Sequence, residues 1–237
     1  FEEKEAGVAL IDIGGGTTDL AIFKDGIIRH TAVIPYGGNV ITEDIKEGCS
    51  IIEKQAELLK IKFGSAWPGE NRDTEIVSIP GLQGRDPKEI SLKTLSKIIN
   101  ARVVEIIEQV FLEIKNYGHS DQKKKLIAGI VLTGGGSQLK HLKQLVEYVT
   151  GMDTRVGYPS EHLAGSTIDS VSSPLFATSV GLLMNALEDK LTEKNESSDQ
   201  DNISHLENEQ KKDRFSKQRK SILDRFGEKL KEFLDNA

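Results

Sequence analysis

The chain has 237 residues, of which 37% are hydrophobic and 29% charged, with a net charge of −6. That length supports one or two domains with a real core, and the negative balance gives no reason to expect a nucleic-acid partner. One cysteine, Cys49, excludes an internal disulfide and suits a reducing compartment, and no apolar run approaches the roughly 20 residues of a membrane-spanning helix.

The chain begins Phe1-Glu2-Glu3-Lys4 and enters a strand almost at once, as expected of a fragment whose upstream half is missing. Val8–Ile13, residues 19–23 and Ile27–Ile34 read as three strands, with Asp25-Gly26 as the hairpin turn between the last two. Gly37-Gly38 breaks the chain. From there Ile41, Ile45, Cys49, Ile52, Ala56, Leu59 and Phe63 step by three and four, which predicts one face of one helix. Residues 65–85 are loop-like, with a short strand candidate at 75–79. Ser91 is placed to cap a long helix to about Tyr117, with Leu92, Leu95, Ile98, Ile99, Val103, Ile106, Val110 and Ile114 inward. Residues 126–132 read as a buried strand running into Thr133-Gly-Gly-Gly-Ser137, which opens a helix over about 139–149; a last helix is expected over 174–187.

Two stretches carry chemistry. In Asp12-Ile-Gly-Gly-Gly-Thr-Thr18 a strand ends in glycines, so backbone amides can approach an anion with no Cβ in the way. Gly14, Gly15 and Gly16 supply those amides and Thr17 and Thr18 add hydroxyls. Asp12 at the strand end is placed to hold Mg²⁺ through its waters. The stretch is not a P-loop, which needs a Gly-Lys-Ser/Thr end. The second element, Gly134, Gly135, Gly136 and Ser137 after a buried strand, aims amides and a helix N-terminus at one spot. A pair of such turns in one α/β chain points to a nucleotide. Glu57 and Lys60, three apart on the first helix, flank its buried stripe; by spacing alone they form a solvated ion pair.

These motifs, together with Pro35-Tyr-Gly-Gly-Asn39 and Ala56-Glu-Leu-Leu-Lys60, occur in the order of the actin-like ATPase superfamily. The chain most resembles the FtsA family of bacterial division proteins, as do Val40-Ile-Thr-Glu-Asp-Ile-Lys-Glu-Gly48 and Ala177-Thr-Ser-Val-Gly-Leu-Leu183. The resemblance covers about residues 7–187 and the terminal helix, and corresponds to the C-terminal portion of that family. It implies an α/β actin-like (ribonuclease H-like) ATPase domain with an inserted subdomain, a disordered linker and a C-terminal amphipathic helix. Residues 1–40 and 126–187 then form the nucleotide-binding subdomain, 41–125 the inserted one, 188–220 the linker and 221–237 the helix. The cofactors implied are ATP and Mg²⁺: residues 14–18 on phosphate, Asp12 on the metal side, Glu57 and Lys60 on the nucleoside, and 134–137 covering it. The family's first phosphate hairpin and water-positioning residue have no counterpart here, so the isolated chain is expected to bind ATP poorly.

Residues 188–210 are acidic and polar and read as a flexible linker. A basic cluster from Lys211 follows, and then Ile222, Leu223, Phe226, Leu230, Phe233 and Leu234 fall on one helical face behind a Ser221/Asp224 capping pair. That is the pattern of a helix lying in a membrane interface, and the resemblance implies the same. At about 1 kcal/mol per apolar side chain the gain is offset largely by ordering the segment, so one anchor binds weakly. Many anchors on a filament bind tightly through effective concentration. The resemblance implies self-association into an actin-like filament, the tubulin-like division protein FtsZ as partner, and the cytoplasmic face of the inner membrane at the division site. Enzymatic activity would be at most a weak ATPase. A sugar kinase or phosphatase of the same fold, for which no convincing substrate-facing acid or base is found, and a pilus-assembly or rod-shape ATP-binding protein are the alternatives.

Overall fold

The structure is a computed structural model and describes residues 2–81, 85–118, 124–160 and 171–199. It contains two compact units, residues 1–157 and 158–237. In the first, a short helix α1 (Glu2–Ala6) precedes an antiparallel meander of β1 (Val8–Ile13), β2 (Thr18–Lys24) and β3 (Ile27–Ile34). Asp25 and Gly26 between β2 and β3 both have positive φ, +55° and +76°, the backbone a tight Asp-Gly hairpin demands. Two later strands, β6 (Ile130–Thr133) and β7 (Thr154–Val156), join in parallel, and the sheet order is β3-β2-β1-β6-β7. β7 is only three residues long, too short to show a strand's alternation in the sequence.

The expected first helix is two helices. α2 (Gly38–Cys49) ends at Ser50, which takes a left-handed conformation with φ 48°. Its amide donates to the Glu47 carbonyl and that of Ile51 to the Lys46 carbonyl. The chain then turns back into α3 (Glu53–Phe63), which packs on α2. The apolar period is therefore not one buried stripe: Ile41, Ile45 and Cys49 of α2 and Ala56 and Leu59 of α3 enter the same core, whereas Ile52 in the turn between them is exposed. A two-stranded sheet of β4 (Ile76–Ile79) and β5 (Lys88–Ser91) follows; only β4 was expected.

The long helix α4 (Leu92–Tyr117) forms as its apolar period predicts. Leu95, Ile99, Val103, Ile106, Val110 and Ile114 are all buried, spaced by three and four. Leu92 and Ile98 sit at the margin of the stripe, and Ile107, not anticipated, is inside it. Ser91 occupies the cap position, but its side chain makes no capping hydrogen bond. Gly118, at φ +97°, ends the helix by donating to the Ile114 and Lys115 carbonyls. α4 belongs to one continuous core with Ile11, Ile13, Leu20, Ile22, Ile130 and Leu132 of the sheet and Leu145 and Val146 of α5 (Leu142–Thr150).

The strand expected over 126–132 is shorter. Residues 126–129 form a turn closed by Gly129 N–H to the Leu126 carbonyl at 3.2 Å, and only Ile130–Thr133 pairs in the sheet. Gly129 has φ +69°, and a Cβ there would lie 2.1 Å from the Asp153 carbonyl oxygen. In the second unit a 3-10 turn, Pro174–Phe176, leads into α6 (Ala177–Asp199). α6 continues past Glu188, where the linker was expected to start. The stretch has no Gly or Pro after Gly181 and is rich in Leu, Glu and Lys, good helix formers. The rest of the expected linker and the terminal helix, with Ile222, Leu223, Phe226, Leu230, Phe233 and Leu234, lie outside the described residues. Among the described residues no helix is long and apolar enough to cross a membrane.

Candidate functional site

Everything in the site is arranged around the carboxyl end of β1. Beyond Ile13 the chain turns through Gly14, Gly15 and Gly16, and the Gly14 amide closes the turn on the Thr17 carbonyl at 2.9 Å. Gly15, Gly16 and Thr17 are exposed. A Cβ on Gly16 would meet nothing within 4 Å, so this rim is open for a ligand to approach the backbone. The Thr17 hydroxyl donates to Asp19 at 2.9 Å. Thr18, expected among the phosphate donors, is fully buried and its hydroxyl donates to the Tyr36 carbonyl at 2.8 Å, so it anchors the turn instead.

The Gly37-Gly38-Asn39 segment docks on this turn from the other side. The Gly38 amide donates to the Gly14 carbonyl at 2.9 Å and the Asn39 amide to the Gly15 carbonyl at 2.8 Å. A Cβ on Gly37 would be only 2.6 Å from the Gly14 oxygen, which explains the glycine there. α2 starts at this point, so the start of the inserted segment is hydrogen-bonded to the turn itself.

The second glycine element closes on the same strand end. Gly134, at φ +79°, lies so near β1 that a Cβ would be 2.1 Å from Asp12 Oδ1 and 2.6 Å from the Ile13 carbonyl oxygen; one on Gly136 would be 2.3 Å from Ile13 Cγ2. Asp12 is the Cα partner of Asp19 on one side and of Thr133 on the other. The glycines do not open a helix directly. Gly135–Gln138 is a single 3-10 turn, and His141, left-handed at φ 61°, delays α5 until Leu142. The reason lies in the tertiary structure: Lys140 bridges to Ser65 and its carbonyl accepts the Ala66 amide at 2.8 Å, which holds residues 139–140 extended. The His141 ring, 2.9 Å from the Ser65 hydroxyl, reinforces the link. The Ser137 hydroxyl is buried and donates to the Gly134 carbonyl at 2.7 Å, so Ser137 holds the turn's shape. The Thr133 hydroxyl is buried and has no hydrogen-bond partner among the described residues.

Glu57 and Lys60 sit on the face of α3 that meets α2. Lys60 Nζ donates to the Gly38 carbonyl at 2.8 Å and to the Thr42 hydroxyl at 2.7 Å, and lies 2.7 Å from Glu57 Oε2. The Lys60 side chain is only 14% exposed, against 42% for Glu57. A solvated pair would leave both ends free; here the lysine is enclosed and the carboxylate faces outward. Partial burial pushes the Glu57 carboxyl up, but hydrogen bonds from Lys60 and Thr42 and the Lys60 charge outweigh it and hold the group below the usual carboxylate range. Glu57 lines an open groove of about 700 Å³, with Asn39, Thr42, Ile52 and Leu58 among the other walls, a size typical of ligand clefts. Thr42 and the Gly38 carbonyl were not singled out in the sequence. Both lie inside stretches that carry the resemblance, residues 35–39 and 40–48, but neither had a role of its own there. Also unforeseen is Arg102 of α4, which grips Asp44 of α2 through Nε at 2.6 Å and Nη2 at 3.0 Å and reaches Glu105 at 2.6 Å. Among the described residues no three His, Cys, Asp or Glu side chains gather into a direct metal site.

A meander joined by parallel strands, with two glycine turns meeting at the end of β1 and a helical insertion between β3 and β6, is the actin-like fold. The solved structures agree: MreB5 of Spiroplasma citri bound to ADP superimposes with a TM-score of 0.60 at 22% identity, covering 81% of this chain and 57% of that one. The PilM-PilN type IV pilus biogenesis complex gives 0.58 at 19% identity, covering 78% and 47%. The family model for cell division protein FtsA matches residues 9–181, and the chain belongs to the FtsA family. It is 41% identical over 182 residues to the cell division protein FtsA of Neisseria meningitidis serogroup B and 40% identical over 187 residues to that of Pseudomonas aeruginosa. These matches cover 77% and 79% of this chain but 43% and 44% of the relatives, so the chain spans less than half of their length.

Proposed function

We propose that the chain is the ATP-binding part of a division protein that polymerises in an actin-like way and tethers FtsZ filaments to the cytoplasmic face of the inner membrane at the division site. The observation that carries the nucleotide reading is the convergence of two glycine turns on Asp12, beside a groove whose wall presents Glu57. A Cβ would strike Asp12 at Gly134 and fill open space at Gly16, so the cradle suits a group that approaches the backbone closely. In this reading Gly14, Gly15, Gly16 and Thr17 receive phosphate, and Gly134, Gly135, Gly136 and Ser137 cover the nucleoside. Thr18 anchors the first turn. Glu57 and Lys60 hold the nucleoside. Asp12 takes the metal side through water, and bound Mg²⁺ would neutralise phosphate charge there. The crystals of MreB5 with ADP and with AMPPNP support a nucleotide in this fold. Family membership supports the division role and the FtsZ partnership, and the basic, amphipathic sequence from Lys211 onward supports the membrane. The inserted subdomain with α4 is the partner surface this reading favours.

The test is a titration of the isotope-labelled chain with Mg-ATP to several millimolar, followed by its amide resonances. The amides of Gly15, Gly16, Gly135 and Glu57 are expected to shift together along one binding curve. Shifts confined to other residues, or none, would overturn the nucleotide site.

A further inference from the structure

Thr42 has no part in the assignments above, yet it stands where the two ends of the site meet. It is buried on α2, one turn after Gly38. Its hydroxyl lies 2.5 Å from Glu57 Oε2 and 3.1 Å from the Gly38 carbonyl, and receives a hydrogen bond from Lys60 Nζ at 2.7 Å. A hydroxyl has one proton to donate and two lone pairs. The lysine occupies a lone pair, so the proton goes to the nearer and stronger acceptor, the Glu57 carboxylate. Lys60 has three protons and meets three acceptors: the Gly38 carbonyl, the Thr42 hydroxyl and Glu57. The Gly38 and Asn39 amides then continue to the carbonyls of Gly14 and Gly15. An unbroken set of hydrogen bonds runs from the carboxylate in the groove to the glycine turn after β1.

We propose that Thr42 is a positioning residue for the nucleoside: it aims Glu57 into the groove and ties it, through Lys60 and Gly38, to the turn that receives phosphate. This rests on the nucleotide reading above. The Glu57 carboxylate on its own sits on a long, rotatable side chain with 42% exposure. With Thr42 and Lys60 both bonded to it, one orientation is selected before a ligand arrives, and preorganisation of this kind raises affinity by removing an ordering cost. It also puts the nucleoside end and the phosphate end of the site on the same main-chain atoms, those of Gly38.

The experiment compares the 237-residue chain with Thr42→Val, Thr42→Ser and Glu57→Gln, each titrated with Mg-ATP and with Mg-tripolyphosphate and read from the amide shifts of Gly15 and Gly16. The unsubstituted chain is expected to prefer ATP over tripolyphosphate. Thr42→Val, equal in shape but without the hydroxyl, should lose about tenfold in ATP affinity, the worth of one hydrogen bond, while tripolyphosphate binding stays unchanged. Thr42→Ser should restore the preference, which a merely structural role for the side chain would not require. Glu57→Gln changes an outward-facing group that is not part of the core and should show the same selective loss even if Thr42→Val unfolds. An ATP affinity unchanged in either Thr42→Val or Glu57→Gln, or an equal loss for both ligands, would overturn the proposal and leave the nucleotide site standing. No response of the unsubstituted chain to ATP would overturn both.

Discussion

Glycines in this site do two different jobs, and substitution separates them. Gly134 has a left-handed backbone, and its missing Cβ would fall 2.1 Å from Asp12 Oδ1 and 2.6 Å from a main-chain oxygen. Gly134→Ala is expected to cost about 2–4 kcal/mol, combining backbone strain with overpacking against the Ile13 carbonyl, which cannot rotate away. At Gly16 a Cβ meets nothing, so Gly16→Ala should change stability by no more than about 0.5 kcal/mol. Its added methyl stands on the open rim of the turn, so ATP affinity should fall although the fold is intact. Chemical denaturation alongside an ATP titration checks both halves; a Gly16→Ala chain that binds ATP normally would place the phosphates elsewhere. The motif Gly-Gly-Gly-Thr-Thr was legible in the sequence, but the division of labour within it was not. Thr18 looked like a ligand donor because a hydroxyl beside glycines is a donor in any sequence, and Ser137 entered only as part of the turn covering the nucleoside. Both are buried and bonded to main-chain carbonyls, which only the packing of Tyr36 and of the 3-10 turn reveals.

At the scale of elements, the decisive event is the break at Ser50. The apolar stripe from Ile41 to Phe63 is periodic enough for one helix, and a continuous helix would have carried Glu57 and Lys60 about 30 Å away from Gly38 at about 1.5 Å per residue. With the left-handed residue at 50, α3 returns along α2 and the pair meets Thr42 and Gly38. Ser50 is exposed and sits at φ 48°, ψ 57°, a conformation that costs a side-chain-bearing residue about 1 kcal/mol and glycine almost nothing. Ser50→Gly is therefore expected to stabilise the chain by about 0.5–1 kcal/mol, raising its melting temperature by about 1–4 °C. A lower melting temperature would mean that the Ser50 side chain contributes something besides its backbone angles. By contrast α4, with its long run of buried positions at steps of three and four, and the β2–β3 hairpin, with Asp25-Gly26, followed the expected pattern because each is specified by local chemistry.

For the whole molecule, the proposed coupling of assembly to membrane attachment makes a prediction of its own. A single terminal segment bearing Phe226 and Phe233 should bind anionic vesicles weakly, and a polymer displaying many of them tightly, since the second and later contacts are intramolecular. In vesicle pelleting, a polymer-competent form should sediment with lipid, the monomer far less, and Phe226→Glu/Phe233→Glu hardly at all. Equal sedimentation of all three would remove the link between assembly and the membrane.

The sequence alone determined the strands β1 to β3, the long helix α4, the two glycine turns and their order, because hydrophobic period, hairpin chemistry and glycine clusters act over a few residues. That was enough to reach the actin-like fold and the FtsA family. What the tertiary structure decided is which polar groups are already engaged: Lys60 enclosed between Gly38, Thr42 and Glu57, Thr18 locked to Tyr36, and Gly134 pressed against Asp12. These contacts join residues well separated in the chain, and those of Lys60 cross a bend at Ser50 whose angle no local pattern encodes. The same holds for the 3-10 turn after β6, set by Lys140 and Ala66 rather than by its own glycines.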